Sequence, residues 1–203
     1  MKAKLAAAGL FALVSGQLAA TELPPVDEAL LGKLRAGGYV IYLRHASTDA
    51  RGPGDQELVD FGNCATQRNL SAAGRDESAR IGKAVRSLRI PVGAVLASPY
   101  CRARDTAQLA FGRHKIRGEL HYAIDVSDDE RQRLAAALRA MLGTPPARGS
   151  NSVIVSHSAN LREAAGIWPK PEGAAYVFQP LPEGGFKAVA RMLPQDWPAL
   201  GVR

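Results

Sequence analysis

The chain has 203 residues, 46% of them hydrophobic, enough for one domain with a sizeable core, and it carries no repeats or low-complexity tracts that would divide it. A formal charge of +7 favours anionic partners. Lysine and arginine are scattered, however, and no aromatic–basic interleaving occurs, which argues against nucleic acid or an anionic membrane surface and leaves smaller phosphorylated compounds.

Residues 1–20 stand apart. Lys2 and Lys4 precede the uncharged run Leu5 to Val14, and small residues follow at Ser15, Gly16, Ala19 and Ala20. That is the order of a secretory signal peptide, with an apolar part too short to span a membrane comfortably. The expected organisation is a signal peptide over 1–20, ending at Ala20 with Gly16 and Ala19 as alternatives, and a mature domain over 21–203. Loss of Lys2 and Lys4 takes the formal charge to +5, and the expected location is periplasmic or secreted. In such an oxidising compartment Cys64 and Cys101 form an even pair and a disulfide candidate, whose loop closure would stabilise the fold by about 3–4 kcal/mol. Without C-x-x-C spacing they do not suggest a metal site.

In chain order, Val26 to Ala36 reads as a short helix stopped by Gly37-Gly38. Tyr39 to Leu43 is a nearly unbroken β-branched and aromatic run, as in a buried parallel strand, and Arg44-His45 follows it. Residues 46–69 form a long polar loop, a kind of segment that is often functional. Ser71 is placed as an N-cap for an amphipathic helix over 72–88, with Ile81, Val85 and Leu88 on one face. Val92 to Ala97 is a second buried strand, ended by Ser98-Pro99. Arg102 to Phe111 reads as a helix, Lys115 to Leu120 as a third strand, and 128–142 as a helix with Leu134, Leu138 and Leu142 on one face. Ser152 to Val155 is a further strand, ending at Ser156-His157 before a helix through Ala165. Ala174 to Phe178 and Phe186 to Ala190 read as a closing antiparallel pair.

Strands alternating with helices imply an α/β fold, a three-layer α/β/α sandwich with a mostly parallel central sheet. Arg44-His45, Ser98 to Arg102 and Ser156-His157 then fall just beyond the carboxyl ends of three strands, the edge where such sheets bind ligands. Two guanidiniums suit phosphate oxygens, and a helix's first turn, where Arg102 lies, adds free backbone N–H donors. A neutral imidazole can attack phosphorus, which makes His45 the candidate nucleophile and His157 a donor to the transferring oxygens. His114 and His121 read as surface residues, and no H-x-x-x-H or H-E-x-x-H spacing supports a metal.

These segments carry a family resemblance. Leu43-Arg44-His45-Ala46 resembles the R-H-G signature of the histidine phosphatase superfamily, the phosphoglycerate-mutase-like fold, with Ala in third place. Ser98 to Ala107 resembles its S-x-x-x-R-A-x-x-T-A segment, Val155-Ser156-His157-Ser158 the strand of its second histidine, and Leu70 to Arg75 its L-T-x-x-G stretch. Together they cover most of residues 39–165. The resemblance implies His45 as nucleophile and Arg44, His45, Arg102 and His157 as the phosphate pocket. It does not extend to the general acid. Ser158-Ala159 replaces the His-Asp pair of phytase-like branches, and between Thr106 and His157 the acids are Glu119, Asp125, Asp128, Asp129 and Glu130. Asp125 is chosen, with Asp49 as an outside candidate, since Asp128 and Asp129 suit a helix N-terminus. The reading is therefore an exported, metal-independent phosphoric monoester hydrolase without cofactor, acting on a small phosphorylated substrate or phosphorylated glycan. If no strong acid serves the site, phosphoramidates or acyl phosphates are favoured. The alternative is a non-catalytic module that binds phosphate or phosphorylated glycans in the same pocket.

Overall fold

Alternation governs the central strand. In the computed structural model, which describes residues 22–52, 54–55 and 59–199, β1 (Val40–Arg44) sends Ile41 and Leu43 to one face of the sheet and Val40 and Tyr42 to the other. All four are buried, as expected for a strand covered on both sides. The proposed signal peptide lies outside the described residues, and no described helix is long and apolar enough to cross a membrane.

The remaining elements follow in the order α1 (Glu28–Ala36), α2 (Ala72–Ser87), β2 (Val92–Ala97), α3 (Cys101–Phe111), β3 (Lys115–Ile116), α4 (Asp128–Leu142), β4 (Asn151–Ser156), α5 (Ser158–Ala165), β5 (Ala175–Pro180), β6 (Phe186–Met192) and α6 (Asp196–Ala199). The six strands form one sheet in the order β3-β2-β4-β1-β5-β6. The first four run parallel, and β5 and β6 add an antiparallel edge. One face packs Leu31 and Leu34 of α1, Ile81 and Val85 of α2, and Ala103 and Ala107 of α3. The other packs Leu138 and Leu142 of α4 with Leu161 of α5 around Tyr42, Ile154 and Phe178. This is the expected three-layer α/β/α sandwich.

Two sequence expectations are corrected. The strand expected over Lys115 to Leu120 keeps only two residues, because the chain turns into a 3₁₀ helix at Gly118–Leu120 and buries Leu120 beneath the sheet's second face. A short terminal helix, α6, was not expected. Its Trp197 is buried in the first core, and Asp196 accepts a bond from the Leu193 N–H. The long loop is not wholly irregular. It holds a 3₁₀ turn at Cys64–Thr66 and an isolated bridge between Thr48 and Leu70.

Two devices fasten this loop to the body. Cys64 and Cys101 form a disulfide, 37 residues apart in sequence, which ties the loop to the first residue of α3. At the start of α2, Ser71 caps the Gly74 N–H and also donates to the Ser47 carbonyl. A Cβ at Gly74 would stand 1.9 Å from that carbonyl oxygen. The glycine of the L-S-x-x-G stretch therefore lets the helix start press against the backbone just after His45.

Candidate active site

β1, β2 and β4 end side by side, and their ends assemble the site. The His45 N–H donates to the Ser156 carbonyl at 2.9 Å, and the Ser98 N–H donates to the Val155 carbonyl at 2.9 Å. Beyond these ladder bonds, Thr106 joins two of the segments. Its hydroxyl donates to the Arg102 carbonyl at 2.7 Å and accepts from the Ala46 N–H at 3.0 Å. The threonine of the R-A-x-x-T-A segment thus fixes the residue after His45 to the helix that carries Arg102.

His45, Arg102 and His157 are buried together, and the two imidazole rings stand 5.3 Å apart at 62°. His45 Nδ1 lies 3.0 Å from the Ala46 carbonyl oxygen. A carbonyl only accepts, so Nδ1 carries the proton and Nε2 keeps its lone pair. His157 is oriented from two sides: Tyr42 donates to its carbonyl at 2.6 Å, and its Nε2 lies 2.8 Å from Ser98 Oγ. Ser98 Oγ also accepts from the Tyr100 N–H at 3.3 Å, and its own proton can be donated to His157 Nε2. His157 Nδ1 is buried and without a partner, and in the tautomer in which Ser98 donates to Nε2 it carries the ring N–H.

Burial and cations keep both rings neutral. Burial is the largest influence holding His45 well below the ordinary imidazole range, followed by the Arg102 charge and then Arg44 and Arg68. His157 is held down by burial, then by Arg102 and by His45. At neutral pH His45 is therefore a free nucleophile rather than an imidazolium. The same fact governs stability. Below about pH 6.5 the unfolded chain takes up protons at these positions while the folded chain does not, so stability present above that pH is lost as pH falls toward the depressed folded values. Each ring contributes a slope of about 1.4 kcal/mol per pH unit there. Urea unfolding of wild type and a His45→Gln variant between pH 7 and 5 will show a shallower acid loss in the variant. Parallel curves would refute neutral burial of His45.

The arginines differ in what holds them. Arg102 has no exposed surface. It donates bidentately to Asp55 at 2.8 and 3.0 Å and to the Arg68 carbonyl at 3.2 Å, and its guanidinium carbon lies 4.4 Å from the Tyr100 ring centre. Asp55 is held in turn by the Arg68 N–H at 2.9 Å. Arg44 donates to the Pro169 carbonyl at 3.0 Å and to Glu172 at 3.2 Å. Glu172 also accepts from the Thr48 N–H and hydroxyl and pairs with Arg68 at 3.5 Å. The Nε atoms of Arg44, Arg68 and Arg102 are buried without partners, like His157 Nδ1. Three unpartnered guanidinium donors, joined by His157 Nδ1 in the tautomer that carries its N–H, are what a tetrahedral oxyanion would satisfy.

An open cavity of about 940 Å³ adjoins this cluster, lined in part by Asp55, Asp60, Phe61, Tyr100, Tyr122 and Asp125. Asp125 thus lies in its wall, but no hydrogen bond or ion pair joins it to His45, Arg102 or His157 among the described residues. Asp55 makes that contact instead. His121, expected at the surface, also lines the cavity, 3.6 Å from Glu130. His114 lies away from it. Asp49 turns its carboxylate to the Arg51 N–H, and Asp128 pairs with Arg131 at the start of α4. Glu119 pairs with Arg117, and Glu130 pairs with Arg133. Asp55, Arg68, Glu172 and Tyr122 lie outside the signatures, and Tyr100 fills an unspecified position of the S-x-x-x-R-A-x-x-T-A segment. No cluster of three or more His, Cys, Asp or Glu that could hold a metal occurs among the described residues.

Fold and site define an α/β protein with a nucleophilic histidine and buried guanidiniums at the carboxyl edge of a mostly parallel sheet. A family model, the histidine phosphatase superfamily (branch 1), matches residues 40–125, the stretch that holds Arg44, His45 and Arg102. That match supports the resemblance to the histidine phosphatase superfamily that the motifs carry. No curated protein matches the sequence. Among solved structures it is similar to the protein histidine phosphatase SixA complexed with tungstate, at 17% identity and a TM-score of 0.54, over 78% of this chain and 98% of that one. It is also similar to the alpha-ribazole phosphatase of Shigella flexneri, at 14% identity and a TM-score of 0.53, over 74% and 95%. A phosphoserine phosphatase mutant of Entamoeba histolytica in complex with phosphoserine matches at 13% identity and a TM-score of 0.51, over 77% and 98%. At these identities the likeness is one of fold.

Proposed function

We propose that the protein is an exported phosphatase that hydrolyses phosphate monoesters or related phosphoryl compounds through a covalent phosphohistidine on His45. One observation carries the reading: the neutral His45, with its Nε2 lone pair free, lies beside buried donors of Arg102, Arg44 and His157 that have no partner. In the first step the Nε2–phosphorus bond forms and the bond from phosphorus to the leaving oxygen breaks, while a carboxylic acid gives that oxygen its proton. In the second step water attacks phosphorus, the carboxylate takes the water proton, and inorganic phosphate leaves His45. Arg102, Arg44 and the Nδ1–H of His157 offset the charge on the equatorial oxygens, so the reaction needs no metal.

The acid is assigned to Asp55 rather than to Asp125, because Asp55 already occupies the fork of Arg102. A phosphoryl group binding there displaces the carboxylate. Asp55, freed from the fork, is then the carboxyl group next to the phosphoryl group that can exchange a proton with the leaving oxygen. Export is supported by the N-terminal pattern and by the Cys64–Cys101 disulfide, a bond that persists in oxidising compartments.

The direct test is to quench the purified protein with acid or base during turnover of a phosphorus-labelled substrate. A labelled protein that is stable in base and labile in acid, and absent from His45→Ala, is expected. Turnover in wild type with no such species under rapid quench would overturn the covalent route.

A further inference from the structure

The cavity beside the phosphate clamp has a character that neither the fold nor the family motifs specify. On a chain of formal charge +7, its lining contains three aspartates, Asp55, Asp60 and Asp125, and, among the described residues, neither lysine nor arginine. Its aromatic walls are steep to one another. Phe61 stands 5.2 Å from Tyr100 at 70°, and Tyr122 stands 6.4 Å from Tyr100 at 89°. Phe61 is 38% exposed, and Ile124 of the same lining is 39% exposed, so the cavity presents apolar as well as acidic surface. Three rings at such angles with carboxylates around them form the kind of box that takes an organic ammonium group, by cation–π attraction and charge.

A second, independent feature ties this box to the phosphate end. Tyr100 and Tyr122 each pack 5.0 Å from the ring of His157, whose buried Nδ1 has no partner, and Tyr100 also carries Arg102 at 4.4 Å. Tyr122 also has the Arg102 guanidinium 5.6 Å from its ring centre, so both tyrosines are shared by the anion-binding and the acidic side. The site is dipolar, cationic where phosphorus would sit and anionic where the leaving group would extend. Resting on the phosphatase reading above, we infer that the preferred substrates are phosphate esters of small alcohols that carry an ammonium group. Phosphate binds at Arg102 and His157, and the ammonium lies among Phe61, Tyr122, Asp60 and Asp125. A leaving group of neutral or negative charge would forgo the second half of the site or be repelled by it.

The test compares phosphocholine with 3,3-dimethylbutyl phosphate, which has the same shape with carbon in place of the charged nitrogen. Wild type is expected to show kcat/KM at least about 10-fold higher for the cationic ester, in line with a desolvated cation–π contact assisted by charge. An Asp60→Asn, Asp125→Asn double variant should bring that ratio toward one. Both substitutions fit the local backbone. Asp60 accepts from the Gly62 N–H, which an asparagine oxygen also does, and Asp125 has a φ of 57°, a conformation asparagine adopts readily. Parity between the two esters in wild type, or a preference the double variant leaves intact, overturns the inference. p-Nitrophenyl phosphate separates the two levels of the reading. Turnover of it with parity on the pair leaves the phosphatase standing and removes only the ammonium preference, whereas no turnover of any of the three esters removes both.

Discussion

His45→Ala is expected to lower kcat/KM for a chromogenic aryl phosphate by roughly 10³-fold or more, the scale seen when a covalent nucleophile is removed. The loss should lie in the chemistry rather than in the fold. The backbone N–H of residue 45 still donates to the Ser156 carbonyl, and Arg102 is held by Asp55 and the Arg68 carbonyl without help from the His45 side chain. Inorganic phosphate should therefore still protect the variant against thermal unfolding, because His157 and the three arginines remain. Equal rates in variant and wild type would remove His45 from the mechanism. A wild type that binds phosphate but turns over no ester between pH 4 and 9 would make the pocket a binding site for phosphate or phosphorylated glycans. An aryl phosphate suits the measurement because its leaving group needs little help from an acid, so the assay reports on the nucleophile alone.

The parts of this site that were legible in the sequence are those fixed by local pattern. A run such as Tyr39 to Leu43 marks a buried strand, and polar residues directly after it must appear at the carboxyl edge of the sheet. Arg44, His45, Ser98, Arg102 and His157 are all of this kind. Gly74 and Thr106 stood in recognisable motifs, but their purpose needed coordinates: one admits the close approach of α2 to the Ser47 carbonyl, the other joins Ala46 to α3. What could not be read is set by long-range closure. Asp55 reaches Arg102 across 47 residues, and Glu172 reaches Thr48 across 124. Neither contact leaves a periodic trace, because the loop of residues 46–69 takes its path from the disulfide at Cys64, the Ser71 cap and the buried Gln67. Gln67 accepts from the Cys101 N–H and donates to the Asp60 carbonyl. The same limit explains Asp125. A search for the acid confined to the segment between Thr106 and His157 finds carboxylates that line the cavity or pair at a helix start, and passes over the one that touches the clamp.

Asp55→Asn is expected to separate substrates by their leaving groups. Asparagine has nearly the same size, and its carbonyl oxygen can still accept from the Arg68 N–H and from Arg102, so the loop retains its anchor. It cannot donate a proton of carboxylic acidity. Hydrolysis of an alkyl phosphate, whose alkoxide leaves poorly, should fall by roughly 10²–10⁴-fold. Hydrolysis of p-nitrophenyl phosphate should change far less, and inorganic phosphate should bind more tightly, because it no longer competes with a carboxylate for the fork of Arg102. The difference between substrates is the informative quantity, since a variant that merely loosened the loop would slow both alike. Equal loss on both esters would confine Asp55 to packing. If Asp125→Asn instead gave the selective loss, the proton would come from the cavity wall, and the Asp55–Arg102 pair would only be what the phosphoryl group displaces on entry.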